Sequence, residues 1–341
     1  MKKVKVIPVW DMSESEWLEA RKGGIGGSDA GTVVGVNKYK SPYALWSEKT
    51  GAVEADSVGN EATKWGHRLE RVVAEAYAED YNKAVVEWPV ILWSEEPGQE
   101  FMFANLDFLI VEPSEKFPAG QVTMWREESE PSDNVHGILE VKTAGIASPG
   151  NPAAWANNQV PQSYMLQGYH YGIVTGYTNI TFAALVGGHG LQVREMEWDE
   201  QLAENVVIME SQFWDLIQTG VAPETDGSDA TESALSARYP RHEVGKGFEG
   251  GSQLKELWEE FTEAKVNADE TDKARKALRA RILELVGDAE YATVNGEVIL
   301  SYKASKDVET LDTDRLKREA PEVFEQFKKT RPGPRTLRAA K

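Results

Sequence analysis

The chain of 341 residues contains no cysteine. Disulfides, thiolate zinc sites and cysteine-ligated iron–sulfur clusters are excluded together. Histidine is almost as scarce, five residues scattered along the sequence, too dispersed for a His-rich metal site. Any metal bound here is expected to be hard and oxygen-ligated, which means magnesium, manganese or calcium. Long apolar runs are missing too. None approaches the roughly 20 residues of a membrane span, and the opening MKKVKVIPVWDMSESEW carries no signal-peptide stretch, so a cytoplasmic protein without membrane association is expected. Positive charge is in short supply: 37 Lys and Arg stand against 56 Asp and Glu, a net charge of −19. That balance argues against a protein that coats nucleic acid non-specifically. It leaves room for an enzyme that combines acidic metal ligands with a locally basic groove.

The rest of the composition, 41% apolar and 27% charged, is that of a soluble globular protein with one large domain or two smaller ones. SESEWLEARK (13–22) reads as a short helix capped by Ser13 with an acidic first turn. A glycine-rich turn, GGIGGSDAGTVVGV, precedes a helix opened by Ser41-Pro42 and stopped by Gly51. A longer helix over 60–81 places Trp65, Leu69, Val72, Val73, Ala76 and Tyr77 at helical spacing. Strands are expected over 84–93, 101–111, 120–127 and 136–143, with the polar segment 127–134 as a hairpin tip. A helical region from about Ala154 to Thr175, regular from Pro161, precedes two more strands and a helix over 199–218. This order predicts an α/β (α+β) fold with a central mixed sheet flanked by helices. The polar, Gly- and Pro-rich segment 221–251 reads as a linker or long loop, which puts the core at 1–220. Residues 252–341 are expected to form a mainly helical extension. It would hold a charged helix to about 287, a hairpin turning on Asn295-Gly296 and a basic tail over 315–341.

GILEVKTA (137–144) puts Glu140 and Lys142 on one face of an apolar strand, because side chains two apart in a strand project together. Alone, the pair is most simply read as an ion pair on a solvent-exposed edge. Upstream, ANLDFLI carries Asp107, a carboxylate that interrupts an apolar strand and is costly there unless paired. If the two strands are neighbours, Asp107 and Glu140 can share a magnesium ion (or manganese in its place), with the Val141 carbonyl and waters completing the ligands. Lys142 beside that cation would orient an attacking water or lose its proton more readily than a free lysine. Metal-assisted phosphodiester hydrolysis asks for this set: convergent carboxylates, a group to orient water, and positive charge for the developing phosphorane.

The D…E-x-K arrangement is the signature of the PD-(D/E)xK nuclease superfamily, and the flanking residues narrow it. The stretches are RKGGIGGSDAGTVVGVNKYKSPYALWSEKTG (21–51), WGHRLERVVAEAY (65–77), LEVKTA (139–144) and PQSYMLQGYHYGIVTGY (161–177). With the Asp107 strand they strongly resemble, in order, the motifs of the YqaJ-type viral recombinases, the family of the phage lambda exonuclease. The resemblance implies a restriction-endonuclease-like core and a role for each position. Asp107 and Glu140, with Val141, would be metal ligands and Lys142 the catalytic lysine. Glu70 would reach the same site as a further carboxylate, and Gln167 would orient the water or a scissile-phosphate oxygen. Arg21 and Ser28 would bind the terminal 5′ phosphate of a DNA end. That pairing is physically sensible, since Ser28 is expected at a helix N-terminus, an anion site, and Arg21 offers a fork that matches phosphate oxygens.

The implied activity is a magnesium-dependent 5′-to-3′ exonuclease on linear double-stranded DNA that leaves 3′ single-stranded tails for phage-type recombination. A homotrimeric ring and a single-strand annealing protein as partner are implied by the same resemblance. Asn105 and Phe108 depart from the family pattern around Asp107, and the span from Asp107 to Glu140 is long. Two other readings remain open: an endonuclease on the same core, and a catalytically inactive DNA-end-binding protein. The first has no use for Arg21 and Ser28; the second has no use for Asp107, Glu140 and Lys142 together.

Overall fold

The computed structural model of the chain describes residues 1–53, 61–144, 155, 159–188, 190–330 and 333–338. It divides into two units, Met1–Pro240 and Arg241–Lys341. The strands of the first unit are β1 (Val4–Pro8), β2 (Ile25–Gly26), β3 (Ala84–Glu87), β4 (Val90–Ser94), β5 (Met102–Ala104), β6 (Phe108–Val111), β7 (Gln121–Met124), β8 (Val135–Ala144), β9 (Ile180–Val186) and β10 (Leu191–Met196). Its helices are α1 (Glu14–Lys22), α2 (Gly27–Val33), α3 (Pro42–Lys49), α4 (Glu61–Tyr81), α5 (Gln162–Thr175), α6 (Glu200–Thr219) and α7 (Asp229–Arg238). Six strands form a mixed sheet in the order β10-β9-β8-β6-β3-β7, and four form a smaller sheet, β1-β4-β5-β2. The mixed sheet flanked by helices is the architecture expected from the alternation of patterns.

Strand β8 explains why the two faces of the larger sheet differ. Leu139 and Val141 point to one side, where they join Phe108, Ile110 and Ala183 under Val73, Ala74, Tyr77 and Ala78 of α4. Ile138 points to the other, into a cluster with Leu109, Ile180, Phe182 and the α5 residues Leu166, Tyr169, Ile173 and Val174. Period-two alternation assigns Glu140 and Lys142 to this second face, beneath α5. Each fully buried aliphatic side chain there contributes roughly 1.5–3 kcal/mol, so a charged pair among them must be well satisfied to be tolerated.

Several boundaries differ from the expectation. The runs 84–93 and 101–111 are not single strands. Each breaks and changes sheets, the first at Trp88-Pro89 and the second at Asn105–Asp107. Pro89 lacks the N–H that a continuous ladder needs, and the Asn105 side chain ties the second break down by donating to the Val90 carbonyl at 3.1 Å. Asp107 therefore sits at the mouth of β6 rather than within a strand. The segment 127–134 is no hairpin tip, since β7 pairs in parallel with β3 while β8 pairs with β6.

The apolar stripe expected on α4 is shifted. Trp65 and Val72 are 53% and 56% exposed, and burial begins only at Val73, where the helix lies over the sheet. The expected linker holds helix α7, fastened to the core by Thr231, which donates to Ser41 Oγ at 2.7 Å, and by Arg238, which donates to the Tyr43 hydroxyl at 2.7 Å. The first unit accordingly extends past 220. The start of the helical region expected from Ala154 lies outside the described residues apart from Trp155.

The second unit contains α8 (Gly251–Val286), the hairpin β11 (Tyr291–Val294) and β12 (Glu297–Ser301), α9 (Thr313–Glu319) and α10 (Pro321–Phe327). Its hairpin turns on Asn295 and Gly296 at φ 53° and 86°, as the Asn-Gly pair demands. Among the described residues no helix is long and apolar enough to cross a membrane.

One buried pair ties the helical layer together. His170 of α5 and Glu210 of α6 are fully buried. The imidazole Nδ1 lies 2.9 Å from both Glu210 oxygens, and Nε2 lies 2.8 Å from the Phe103 carbonyl of β5. An acceptor at each ring nitrogen favours the doubly protonated ring. Burial pushes the imidazole down, but Glu210 outweighs it and holds the pKa above the ordinary 6.5. Burial raises Glu210 as well, so the pair keeps its proton. A folded-state pKa above the unfolded one stabilises fully below about pH 6.5 and loses that contribution as pH rises through the folded value. Urea unfolding midpoints should therefore decline from pH 6.5 upward. Glu210→Gln should lower stability by about 3 kcal/mol and flatten the decline; a slope unchanged in that variant would assign it to other groups.

Candidate active site

Strands β6 and β8 are antiparallel neighbours, with Phe108 opposite Leu139. One step further brings Asp107 opposite Glu140, the adjacency that a shared cation needs. The Val141 amide donates to Asp107 Oδ2 at 2.9 Å, fixing this carboxylate across the gap between the strands. Glu140 is fully buried. Its Oε1 accepts from Lys142 Nζ at 2.5 Å and from Gln167 Nε2 at 2.6 Å. Among the described residues nothing donates to its buried Oε2. Gln167, one turn into α5, also donates to the Tyr171 hydroxyl at 2.9 Å and accepts from Lys142 at 3.1 Å. The Lys142 ammonium lies 4.8 Å from the centre of the Tyr164 ring, a cation–π contact.

The electrostatics follow from this crowding. Glu140 is pushed up to about 8 by burial and by the Asp107 carboxylate, with Lys142 opposing. Burial likewise raises Asp107. For Lys142, burial acts downward, but the Glu140 and Asp107 carboxylates prevail and raise its pKa. The two carboxylates thus favour the ammonium form of the lysine. Glu70 approaches from α4. Its carboxylate is paired with His67 Nδ1 at 3.0 Å, and burial and the charge of Asp107 raise its pKa.

Two cavities meet at Lys142. One, of about 600 Å³, is lined by Ser28, Lys38, Tyr39, Lys142, Tyr164 and Gln167 among others. The other, of about 540 Å³, is lined by Tyr39, His67, Glu70, Val141, Lys142 and Tyr164 among others. Arg21 and Ser28 are together as expected: Arg21 NH2 donates to Ser28 Oγ at 3.1 Å, and the guanidinium lies 4.3 Å from the centre of the Trp17 ring. Ser28 is exposed between buried neighbours, at the second residue of α2. Gly27 is required there for packing, since a Cβ would stand 2.4 Å from the Tyr171 ring of α5.

The profile of the YqaJ-like viral recombinase domain matches residues 16–178. The protein YqaJ of Bacillus subtilis (strain 168), itself uncharacterized, is 34% identical over 325 residues, 94% of this chain and 92% of its own. The chain belongs to the YqaJ-like viral recombinase family. Among solved structures it is similar to an alkaline exonuclease, LHK-Exo, from Laribacter hongkongensis, with a TM-score of 0.44 and 16% identity over 61% of this chain and 94% of that one. The same enzyme in complex with dAMP gives a TM-score of 0.43 and 15% identity with the same coverage.

The YqaJ-like profile runs from α1 through α5 and spans all the residues singled out above. Among the described residues no group of three or more His, Asp or Glu side chains is arranged to hold a metal. The fit of a cation rests instead on two adjacent carboxylates and on Glu140 Oε2, which has no donor among the described residues. That donor set suits a hard ion completed by a backbone carbonyl and water.

Two residues beside Arg21 and Ser28 were not anticipated. Asp29, next to Ser28, is buried, and Lys49 of α3 reaches it at 2.9 Å. Asp29 Oδ2 accepts from the Gly26 amide at 3.2 Å, while Lys49 also donates to the Arg21 and Gly24 carbonyls at 3.0 and 2.6 Å. Burial would raise the Asp29 carboxyl, but Lys49, with Lys40 and Arg21, holds it below its ordinary value. A buried acid needs a counter-charge, and that signal points to Lys49, which otherwise looks like a helix-end charge. Lys49→Met should cost about 3 kcal/mol by stranding a buried carboxylate. Lys49→Met/Asp29→Asn should recover most of that loss in the same unfolding measurement; no recovery would mean that Lys49 acts through its carbonyl contacts alone.

Proposed function

We propose that the protein is a metal-dependent 5′-to-3′ exonuclease that digests one strand of linear double-stranded DNA and leaves a 3′ single-stranded tail. The observation that carries this reading is one linked cluster, with Asp107 on the Val141 amide and Glu140 bonded to Lys142 and Gln167, whose Lys142 and Gln167 line a cavity that also holds Ser28, the partner of Arg21. A magnesium ion held by Asp107, Glu140 and the Val141 carbonyl would supply Lewis-acid polarisation of the phosphoryl oxygen and a water of lowered pKa. Lys142 stays charged and places a donor at the scissile phosphate, where negative charge grows as the water oxygen bonds to phosphorus. Gln167 fixes Lys142 and Glu140 and offers an amide to the water. The leaving 3′ oxygen departs with its nucleotide, which carries the old 5′ phosphate.

The strand left behind ends in a new 5′ phosphate. Arg21 and Ser28 can therefore take the same ligand after every cut. Glu70, at the far side of Lys142, is positioned to tune the Asp107 carboxylate through its charge. A single-strand annealing protein as partner and a ring of three chains belong to the same reading through the family.

End-labelled linear duplex in magnesium should be shortened from its 5′ ends, with activity lost in EDTA. Lys142→Ala should bind duplex ends but release nucleotide roughly 10²–10³-fold more slowly. Cleavage of closed circular DNA, or release by Lys142→Ala at the wild-type rate, would overturn the assignment. Arg21→Ala should abolish the preference for 5′-phosphorylated over 5′-hydroxyl ends while leaving residual hydrolysis. A preference that survives would remove Arg21 from end recognition.

A further inference from the structure

Helix α8 of the second unit is 36 residues long and has no buried residue. A helix that stays in water is expected to be polar all round, and this one is not. Leu254, Leu257, Phe261, Leu278, Ile282 and Leu285 are each 45% or more exposed. They fall on the a and d positions of one continuous heptad register, whose four central positions are Ala264, Ala268, Thr271 and Arg275. A seam that keeps a 3.5-residue period from end to end is built to face another helix.

We propose that α8 pairs with the α8 of a second copy of this chain as an antiparallel coiled coil. Aligned antiparallel about the middle of the helix, each large residue meets a large one of the second copy: Leu254 meets Leu285, Leu257 meets Ile282 and Phe261 meets Leu278. Ala268 meets Thr271, and Arg275 meets Ala264, whose small side chain leaves room for the arginine stem to run outward to water. A parallel alignment would instead stack Arg275 on Arg275 in the seam, a like-charge layer that disfavours it.

The flanking positions agree. Antiparallel pairing sets Glu260 against Arg281 and Lys265 against Asp272, and two-fold symmetry makes each pair twice. Parallel pairing matches only Glu260 with Lys265. The seam and its flanks are thus complementary to themselves, which is why the occupant is a second copy. About 54 Å of helix is available for the overlap. The pairing is independent of the nuclease reading and adds to whatever assembly the first unit makes.

The absence of cysteine makes a direct test available. Full-length Phe261→Cys and Leu278→Cys, each with one thiol, are co-expressed with different tags and mildly oxidised. The expected product is a disulfide joining position 261 of one chain to 278 of the other, at least tenfold over self-linked 261–261 or 278–278. Self-linked products in excess, or no disulfide, would overturn the antiparallel pair, as would linkage to another protein. Sedimentation equilibrium of full-length Leu257→Glu/Leu278→Glu should give half the subunit number of the wild type, with thermal unfolding of the first unit unchanged because both residues are exposed. An unchanged mass would also overturn it.

Discussion

The register of β6 against β8 is the constraint on which the site depends. It brings two carboxylates face to face on a side of the sheet that is otherwise largely apolar. Neither carboxylate would stay ionised there unaided, and both pKa values are raised by burial. The surrounding residues answer this problem: the Val141 amide on Asp107, and Lys142 and Gln167 on Glu140. The balance is incomplete, because one Glu140 oxygen has no donor among the described residues. On the proposed reading that missing partner is a cation, and the same low dielectric that makes the shortage costly would strengthen the ion's hold.

The pocket proposed for a terminal phosphate solves the opposite problem. A chain of net charge −19 must gather positive potential where a phosphate is to bind. Arg21 lies against Trp17 and Phe103 and bonds to Ser28, so its fork is oriented before any ligand arrives. Asp29 threatens the arrangement, since its carboxylate lies one residue from Ser28. Lys49 neutralises it and at the same time holds the Arg21 and Gly24 carbonyls. One ammonium thus cancels the repulsion and sets the backbone at the start of the glycine run. Gly27 and Gly31 let α2 pack closely against α5, where Ser28 shares a cavity with Lys142 and Gln167.

What the sequence revealed and what it hid divide along physical lines. Helices with local stop and start signals were legible: Ser13 caps α1 with its capping box, Ser41-Pro42 opens α3, and Asn295-Gly296 turns the hairpin. Glu140 and Lys142 were legible as a pair because period-two alternation is a local rule. Where Asp107 lies was not. It depends on Asn105 bonding to Val90 and on a change of sheet, and neither leaves a mark in hydrophobic pattern. The α4 stripe failed for a similar reason: amphipathic spacing says which face is apolar, not how far along the helix the sheet extends. Lys49 and the His170–Glu210 pair were invisible because their partners are distant in sequence.

The joint placement of the two sites bears on what kind of nuclease this geometry favours. Carboxylates and lysine alone would serve cleavage anywhere along a strand. Ser28 opens into the same cavity as Lys142 and Gln167, so on the proposed reading a phosphate held by Ser28 shares that cavity with the lysine. Only a strand terminus presents a dianionic phosphate free of a second nucleotide, and only that group matches a fork reinforced by a hydroxyl. On the proposed reading, hydrolysis leaves the shortened strand with the same terminal group that the pocket had just held. Direction then needs no separate device. On that reading it follows from a pocket that takes a terminal phosphate and shares a cavity with Lys142 and Gln167.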